Sequence, residues 1–193
     1  MPRPREFDTD HVLERAMEVF WLHGYDGTSI PMLLEAMGIG RQSLYDTFGG
    51  KRELFTAAIE RYDNTVTATV LPRLLAENAG IDAIRAHFED TVVRLTAGGP
   101  RKSCFVANCT MELAALDPEL AGVLSRSVAR MESALRHAVE RGQQRGEIPI
   151  RRDARVLARC LKTLVLGLTV AAKSGASRRE LRETVAATLD VLI

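Results

Sequence analysis

The stretch that decides the fold runs from residue 24 to residue 50: Gly24-Tyr25-Asp26-Gly27-Thr28-Ser29-Ile30-Pro31-Met32-Leu33-Leu34-Glu35-Ala36-Met37-Gly38-Ile39-Gly40-Arg41-Gln42-Ser43-Leu44-Tyr45-Asp46-Thr47-Phe48-Gly49-Gly50. Glycines cut it into two short pieces. Thr28 and Ser29 are both good N-caps, and Pro31 is tolerated in a first helical turn. Gly38 supplies the stop, because glycine enters the left-handed C′ position without strain. A second short helix is expected over about Arg41 to Phe48, ended by Gly49-Gly50. Two short helices joined by a glycine turn make a helix-turn-helix, whose second helix fits a DNA major groove. Leu33, Leu34, Met37, Ile39, Leu44 and Phe48 would weld the pair to a preceding helix, about Asp10 to His23. That helix carries Val12, Ala16, Val19 and Phe20 on one face.

The second short helix then turns Arg41, Gln42, Ser43, Tyr45, Asp46 and Thr47 outward. Arginine pairs bidentately with guanine and glutamine with adenine. The hydroxyls of Thr28, Ser29, Tyr45 and Thr47 suit phosphate oxygens. Lys51 places a charge, and the free N–H groups of the next helix, toward the backbone. Charge alone does not argue for nucleic acid. Residues 1–52 hold six Lys/Arg and eight Asp/Glu, a net of −2, so any DNA contact must rest on local placement. Asp46 would repel phosphates, and its expected partner is Arg41, Arg52 or a cytosine amine. Spacing alone leaves a plain αα-hairpin with a solvated face equally open. Arg3 and Arg5, in a Pro-spaced arm, fit a minor groove or a solvated terminus.

Beyond residue 50 the pieces lengthen. The chain has 193 residues, 46% of them hydrophobic and 5% aromatic; with β-branched residues also sparse, an all-α fold is the default. Helices are expected from Lys51 to about Val70, with a break at Leu71-Pro72, then over Ile81 to Thr96 and Cys104 to Ala115. Asp117-Pro118-Glu119 starts a long one that ends near Gly142 to Gly146. Another spans Asp153 to Lys173. Ser177 and Glu180 form a capping box for the last, which makes nine. The composition shift divides the chain into residues 1–50 and 51–193.

Several classes are excluded at this stage. The longest apolar run, Leu161 to Ala172, falls short of the roughly 20 residues that span a bilayer. The first residues lack a signal peptide's apolar stretch. Three scattered cysteines suit a reducing cytoplasm, not a disulfide framework. Cys104 and Cys109 lack zinc-site spacing. No carboxylate pair, nucleophile with a base, or phosphate loop suggests an enzyme, and no metal or cofactor is expected.

The string Gly-Tyr-Asp-Gly-Thr-Ser-Ile (24–30), followed by Met-Gly-Ile-Gly-Arg-Gln-Ser-Leu-Tyr-Asp-Thr-Phe-Gly-Gly-Lys-Arg-Glu-Leu-Phe (37–55), closely resembles the signature of the tetracycline-repressor (TetR) family. The match covers about residues 8–58. Gly40 departs from it, standing where the family often has a small polar cap, and so does Asp46, where many members carry His, Tyr or Arg. Weaker likeness continues in Lys102 to Asn108 and Gly167 to Leu181.

The resemblance implies a helix-turn-helix DNA-binding domain followed by a helical effector-binding and dimerisation domain. The implied function is a repressor, released from a palindromic operator by a small-molecule or electrophile effector. Its partners would be double-stranded operator DNA, a second copy of the chain and that effector. Ligand sites of relatives place the effector near Phe88, Val92, Cys104, Phe105 and Asn108, and near Met111, Met131, Leu164 and Leu168. Asn108, Thr110, His87 and His137 are the polar groups to watch there. The implied dimer face uses Leu161, Val165, Gly167 and Leu168 with Leu181, Val185 and Leu189. The apolar girth of the Asp153–Lys173 helix agrees with that, and a buried core helix is the alternative.

Cys104 follows Arg101-Lys102-Ser103 at a helix start, which favours a thiolate. With Lys173 it resembles the redox-sensing pair of some relatives; it also fits a small packing residue. Two other readings remain: a small-hydrophobe carrier or enzyme on an all-α scaffold, and a helical interaction module, which leaves Arg41, Gln42 and Tyr45 without purpose.

Overall fold

In a computed structural model, which describes residues 7–97 and 104–193, the described residues form ten α-helices and no strand. The helices are α1 (Thr9–His23), α2 (Ile30–Met37), α3 (Arg41–Phe48), α4 (Lys51–Tyr62), α5 (Ala68–Leu75), α6 (Ile81–Leu95), α7 (Phe105–Leu113), α8 (Pro118–Gln144), α9 (Ala154–Lys173) and α10 (Arg178–Leu192). The arm with Arg3 and Arg5, and the Arg101-Lys102-Ser103 run, lie outside the described residues.

Local chemistry sets most of the boundaries. Asp8, Ser29, Asp117, Asp153 and Ser177 each accept backbone N–H bonds as N-caps. Ser177 and Glu180 complete the capping box. Gly24 ends α1 at φ +75°, a conformation that favours glycine.

One expectation fails, the stop at Leu71-Pro72. The chain leaves α4 through a π-helical turn, Asp63–Thr67, re-enters α geometry at Ala68 and carries Pro72 inside α5. Proline removes one helical hydrogen bond. Packing outweighs that loss, because Leu74 is fully buried and Val70 and Leu71 lie against the same core. The segment ends instead at Ala76, whose ψ of 150° is extended. The expected long helix is therefore two, and the helices number ten, not nine.

Buried residues gather in two clusters. The first joins α1–α4 to α7 and the start of α8, through Phe20, Trp21, Phe55, Tyr62, Phe105 and Leu120 among others. Its aromatic rings meet edge to face: Phe20 with Phe55 at 5.1 Å, Trp21 with Tyr62 at 5.2 Å, and Phe55 with Phe105 at 6.0 Å. Such pairs contribute about 0.5–1.5 kcal/mol each beyond their burial. The second cluster joins α5, α6 and α8–α10. Helix α8 belongs to both, packing on α4, α5, α6, α7 and α9. The helix-turn-helix thus shares a core with α7, so a shift in α7 is felt by α1 and α4 directly.

Candidate nucleic-acid interface and internal cavity

Helix α3 is anchored by one buried side chain, Leu44, and turns the rest outward. Arg41 and Gln42 are exposed, Ser43 and Thr47 half-buried, and Tyr45 43% exposed. No side chain caps α3 at Gly40 or α4 at Gly50. Both helix starts therefore lack a side-chain acceptor, which suits an incoming anion. Lys51 stands beside them, its Nζ 4.4 Å above the Tyr25 ring, a cation–π contact that aims the charge without neutralising it. Ser29 is exposed and accepts from Met32 N at 3.4 Å, leaving its own proton to donate.

Thr28 is a correction. It is 1% exposed, and its hydroxyl donates to Gly24 O at 2.6 Å. The bond closes the α1–α2 turn and removes that hydroxyl from the surface. The partner of Asp46 is also different from the three expected: Gln42 Nε2 donates to Asp46 Oδ1 at 2.8 Å, one turn away on the same face. Arg52 is engaged elsewhere, pairing with Asp117 at 2.7 Å and Glu119 at 2.9 Å.

Two long-range tethers of this region were not visible in the sequence. One is Arg52, bridging the starts of α4 and α8. The other is Glu112 of α7, whose carboxylate accepts from Tyr25 N at 3.0 Å and Asp26 N at 2.7 Å. No local pattern announces a contact spanning almost ninety positions.

The π-helical turn carries a buried carboxylate. Asp63, 4% exposed, accepts from Ser127 Oγ at 2.6 Å and Thr67 Oγ1 at 3.3 Å, and pairs with Arg130 at 3.0 Å. Beside it lies a cavity of about 70 Å³ between the α4–α5 connection, α6, α7, α8 and α9. Its apolar wall includes Val106, Val128, Met131 and Val165; its polar groups include Tyr62, His87, Arg94, Cys104 and Lys162. The Cys104 sulfur lies 3.6 Å from the Tyr62 hydroxyl. Burial, and next the Cys104 sulfur, hold the Tyr62 hydroxyl well above the usual tyrosine range. Burial also lowers His87 to about 4, with the Arg94 charge adding to the effect.

Of the expected effector residues, Cys104 and Met131 line this cavity. Phe88 and Val92 border a separate groove between α6 and α10. Phe105 is packed in the first core, and Leu164 and Leu168 in the second. Asn108 is half-buried and outside the lining, while Met111 is 62% exposed. An apolar stripe does not distinguish a packed residue from a cavity wall, which accounts for these misplacements. Thr110 donates to Val106 O, and His137 bonds Leu74 O at 3.0 Å, so both serve the scaffold. The lysine on the Cys104 cavity is Lys162, not Lys173, which is exposed at the end of α9. Cys109 is buried, and burial pushes its thiol up.

Leu161, Leu168, Leu181 and Leu189 of the expected dimer face are buried within the chain. Val165 and Val185 are half-buried and pack on the same core. Gly167 is exposed, and a Cβ there would meet nothing within 4 Å. Val156 and Val170 share its side of α9 at helical spacing, 52% and 48% exposed, and Val191 of α10 is 69% exposed. Helix α9 therefore has two apolar sides, one filled by its own chain and one open. Among the described residues no helix is long and apolar enough to cross a membrane, and no His/Cys/Asp/Glu group could hold a metal ion.

Comparison with known proteins bears on this geometry. Residues 12–58 match the model of bacterial regulatory proteins of the tetR family. Residues 80–188 match that of the tetracyclin repressor-like C-terminal domain. The chain is 41% identical over 193 residues, the whole of both proteins, to the uncharacterized HTH-type transcriptional regulator YezE of Bacillus subtilis. It is 32% identical to the HTH-type transcriptional repressor ComR of Escherichia coli, over 97% of this chain and 90% of that protein. A solved structure of the TetR family transcriptional regulator CifR, a cysteine mutant complexed with 26-bp double-strand operator DNA, superposes with a TM-score of 0.86. The two share 32% identity over 97% of this chain and 98% of that one.

Proposed function

The chain belongs to the TetR family of bacterial regulatory proteins, and on that premise we propose that it works in the cytoplasm as a non-catalytic transcriptional repressor, a homodimer on palindromic operator DNA that an effector releases. The observation that carries this reading is the outer face of α3. It offers Arg41, Gln42 and Tyr45 to solvent on a helix anchored by Leu44 and the shared aromatic core. Arg41 and Gln42 read base edges; Ser29, Ser43, Tyr45, Thr47 and Lys51, with the uncapped starts of α3 and α4, hold phosphates. Thr28 positions the turn through its backbone bond.

Residues 1–50 form the reading unit and residues 51–193 the sensing and dimerising unit. The open side of α9, around Gly167, with Val191 of α10, is the face that meets the second copy. Two-fold pairing sets the two α3 helices about one DNA turn, ~34 Å, apart. The cavity beside Asp63 is the effector site. Release follows from the shared core, because ligand pressure on α7 or on the Asp63–Thr67 turn moves α1 and α4, and the spacing of the two α3 helices no longer fits. This is a coupling between two sites through one packed body.

Cys104 gives the cavity a nucleophilic sulfur, which favours electrophiles as one effector class. Alkylation by iodoacetamide, forming an S–C bond with loss of iodide and the thiol proton, is expected to weaken DNA binding in the wild type and not in Cys104→Ser. Equal loss in both excludes that class.

The test of the main reading is selection of bound fragments from random DNA. It should return a palindrome with half-sites one turn apart, bound more weakly as salt rises. Failure to enrich a palindrome, or salt-independent binding, contradicts it.

A further inference from the structure

Two side chains of α6 set the chemistry of the cavity. His87 is 2% exposed, and neither ring nitrogen has a hydrogen-bond partner among the described residues. Two turns along the same face stands Arg94, half-buried. Its Nη2 donates to Thr91 Oγ1 at 3.3 Å, while its Nε is buried without a partner among the described residues. The other cations nearby are neutralised: Lys162 pairs with Glu132 at 2.7 Å, and Arg130 with Asp63 at 3.0 Å. No carboxylate is within ion-pair distance of Arg94 among the described residues, so the cavity carries one unbalanced positive charge.

Unsatisfied buried donors are unusual, because each forgoes hydrogen bonds that water would have given it. Here both residues line one partly open cavity. A neutral imidazole offers one N–H and one lone pair, and a guanidinium offers donors only. An oxyanion would accept from both residues at once, and charge-assisted bonds are the strong ones.

We propose that the cavity binds a short-chain organic monoanion, its carboxylate held by Arg94 and His87 and its apolar tail against Val106, Val128 and Met131. This rests on the cavity being the effector site. The small volume, about 70 Å³, limits the tail to a few carbons. Thr67 and Ser127 also line the cavity, but both hydroxyls donate to the Asp63 carboxylate, so neither is left to donate to a second anionic group on the ligand. Binding therefore satisfies the orphaned donors of α6 and packs the tail beside the turn that joins α4 to α5.

The test is calorimetric titration of the full-length, DNA-free protein with butanoate, butanamide, butylammonium and succinate. Butanoate is expected to bind about tenfold or more tighter than each of the others. Arg94→Gln should remove that preference, weakening butanoate far more than butanamide, and Arg94→Lys should keep part of it. His87→Gln should weaken butanoate, with folding of each variant checked by its thermal transition. Equal affinities for butanoate and butanamide, no measurable binding of butanoate, or an unchanged preference in Arg94→Gln each overturn the proposal. Adding butanoate to a protein–DNA complex separates this inference from its premise. Preferential binding without DNA release keeps the ligand class and contradicts the release reading; intact DNA recognition without butanoate binding contradicts the ligand class alone.

Discussion

On α3 every group assigned to base reading stands within one eight-residue helix, whereas the polar groups of the cavity reach from Tyr62 to Lys162 and come from α4, the Asp63–Thr67 turn, α6, the residue before α7, α8 and α9. The first set is exposed and locally positioned. The second is buried and held by the whole body. The reading face therefore needs only a stable platform, while the cavity exists only as long as five segments keep their distances. What joins them is the first core, in which α7 packs directly on α1 and α4, and the carboxylate of Glu112 on the α1–α2 turn.

Phe55→Ala should disable both regions at once. Phe55 is fully buried and meets Phe20, Tyr25 and Phe105, so truncation should cost about 3–5 kcal/mol in urea unfolding. DNA binding and cavity binding should fail together; survival of either would mean that the shared core does not join them.

Acid should separate the two regions. The folded pKa of His87 lies near 4, below its ordinary 6.5, chiefly through burial, then through Arg94, with Arg73 adding and Asp90 opposing. Between those values the unfolded chain binds a proton that the folded one refuses, so stability is full above pH 6.5 and falls as pH drops toward 4. The slope is about 1.4 kcal/mol per unit, up to ~3 kcal/mol in all. His87→Leu should flatten this part of the pH dependence in urea melts, and an unchanged slope would mean that His87 is solvated.

Glu112→Ala should cut the tether while sparing both sites. Bonds to a charged group are worth about 1.5–3 kcal/mol, so the Tyr25 and Asp26 amides should exchange faster with solvent deuterium. Cavity binding should persist, and its effect on DNA binding should shrink. If exchange at those amides is unchanged, Glu112 is not the tether.

Asp46→Asn is the smallest and most local change. It removes an acid facing phosphates and loosens Gln42. Non-specific DNA affinity should rise and the salt slope steepen by at most about 1, while discrimination at one base pair of the half-site relaxes. Unchanged discrimination would mean that the Gln42–Asp46 bond does not position Gln42.

The same contrast explains what could be read from sequence. Helix α3 runs from Arg41 to Phe48 as expected, because Gly38, Gly40 and the Gly49-Gly50 pair act on their immediate neighbours. Caps at Ser29, Asp117 and Ser177 were legible for the same reason. Asp46 was half-legible: its conflict with phosphate was visible, but which neighbour its rotamer would choose was not. The cavity was largely illegible. Met111 and Phe88 share the apolar character of a lining residue, yet one is exposed and the other lies under a different groove. Lys162 displaced Lys173 because helix phase at a distant crossing, not proximity to a helix end, decides which lysine meets α6 and α7. Pro72 misled for a further reason. Proline punctuates a helix when local terms decide, and here Leu74 buried in a tertiary core decided instead.

Base reading by Arg41 and Gln42 of α3 is checked by fluorescence anisotropy on the selected palindrome at fixed salt. Arg41→Ala and Gln42→Ala should each lose about 1–3 kcal/mol of specific binding, roughly 5- to 150-fold, with non-specific binding lowered far less. Variants that bind the palindrome like the wild type, with thermal transitions unchanged, would contradict it.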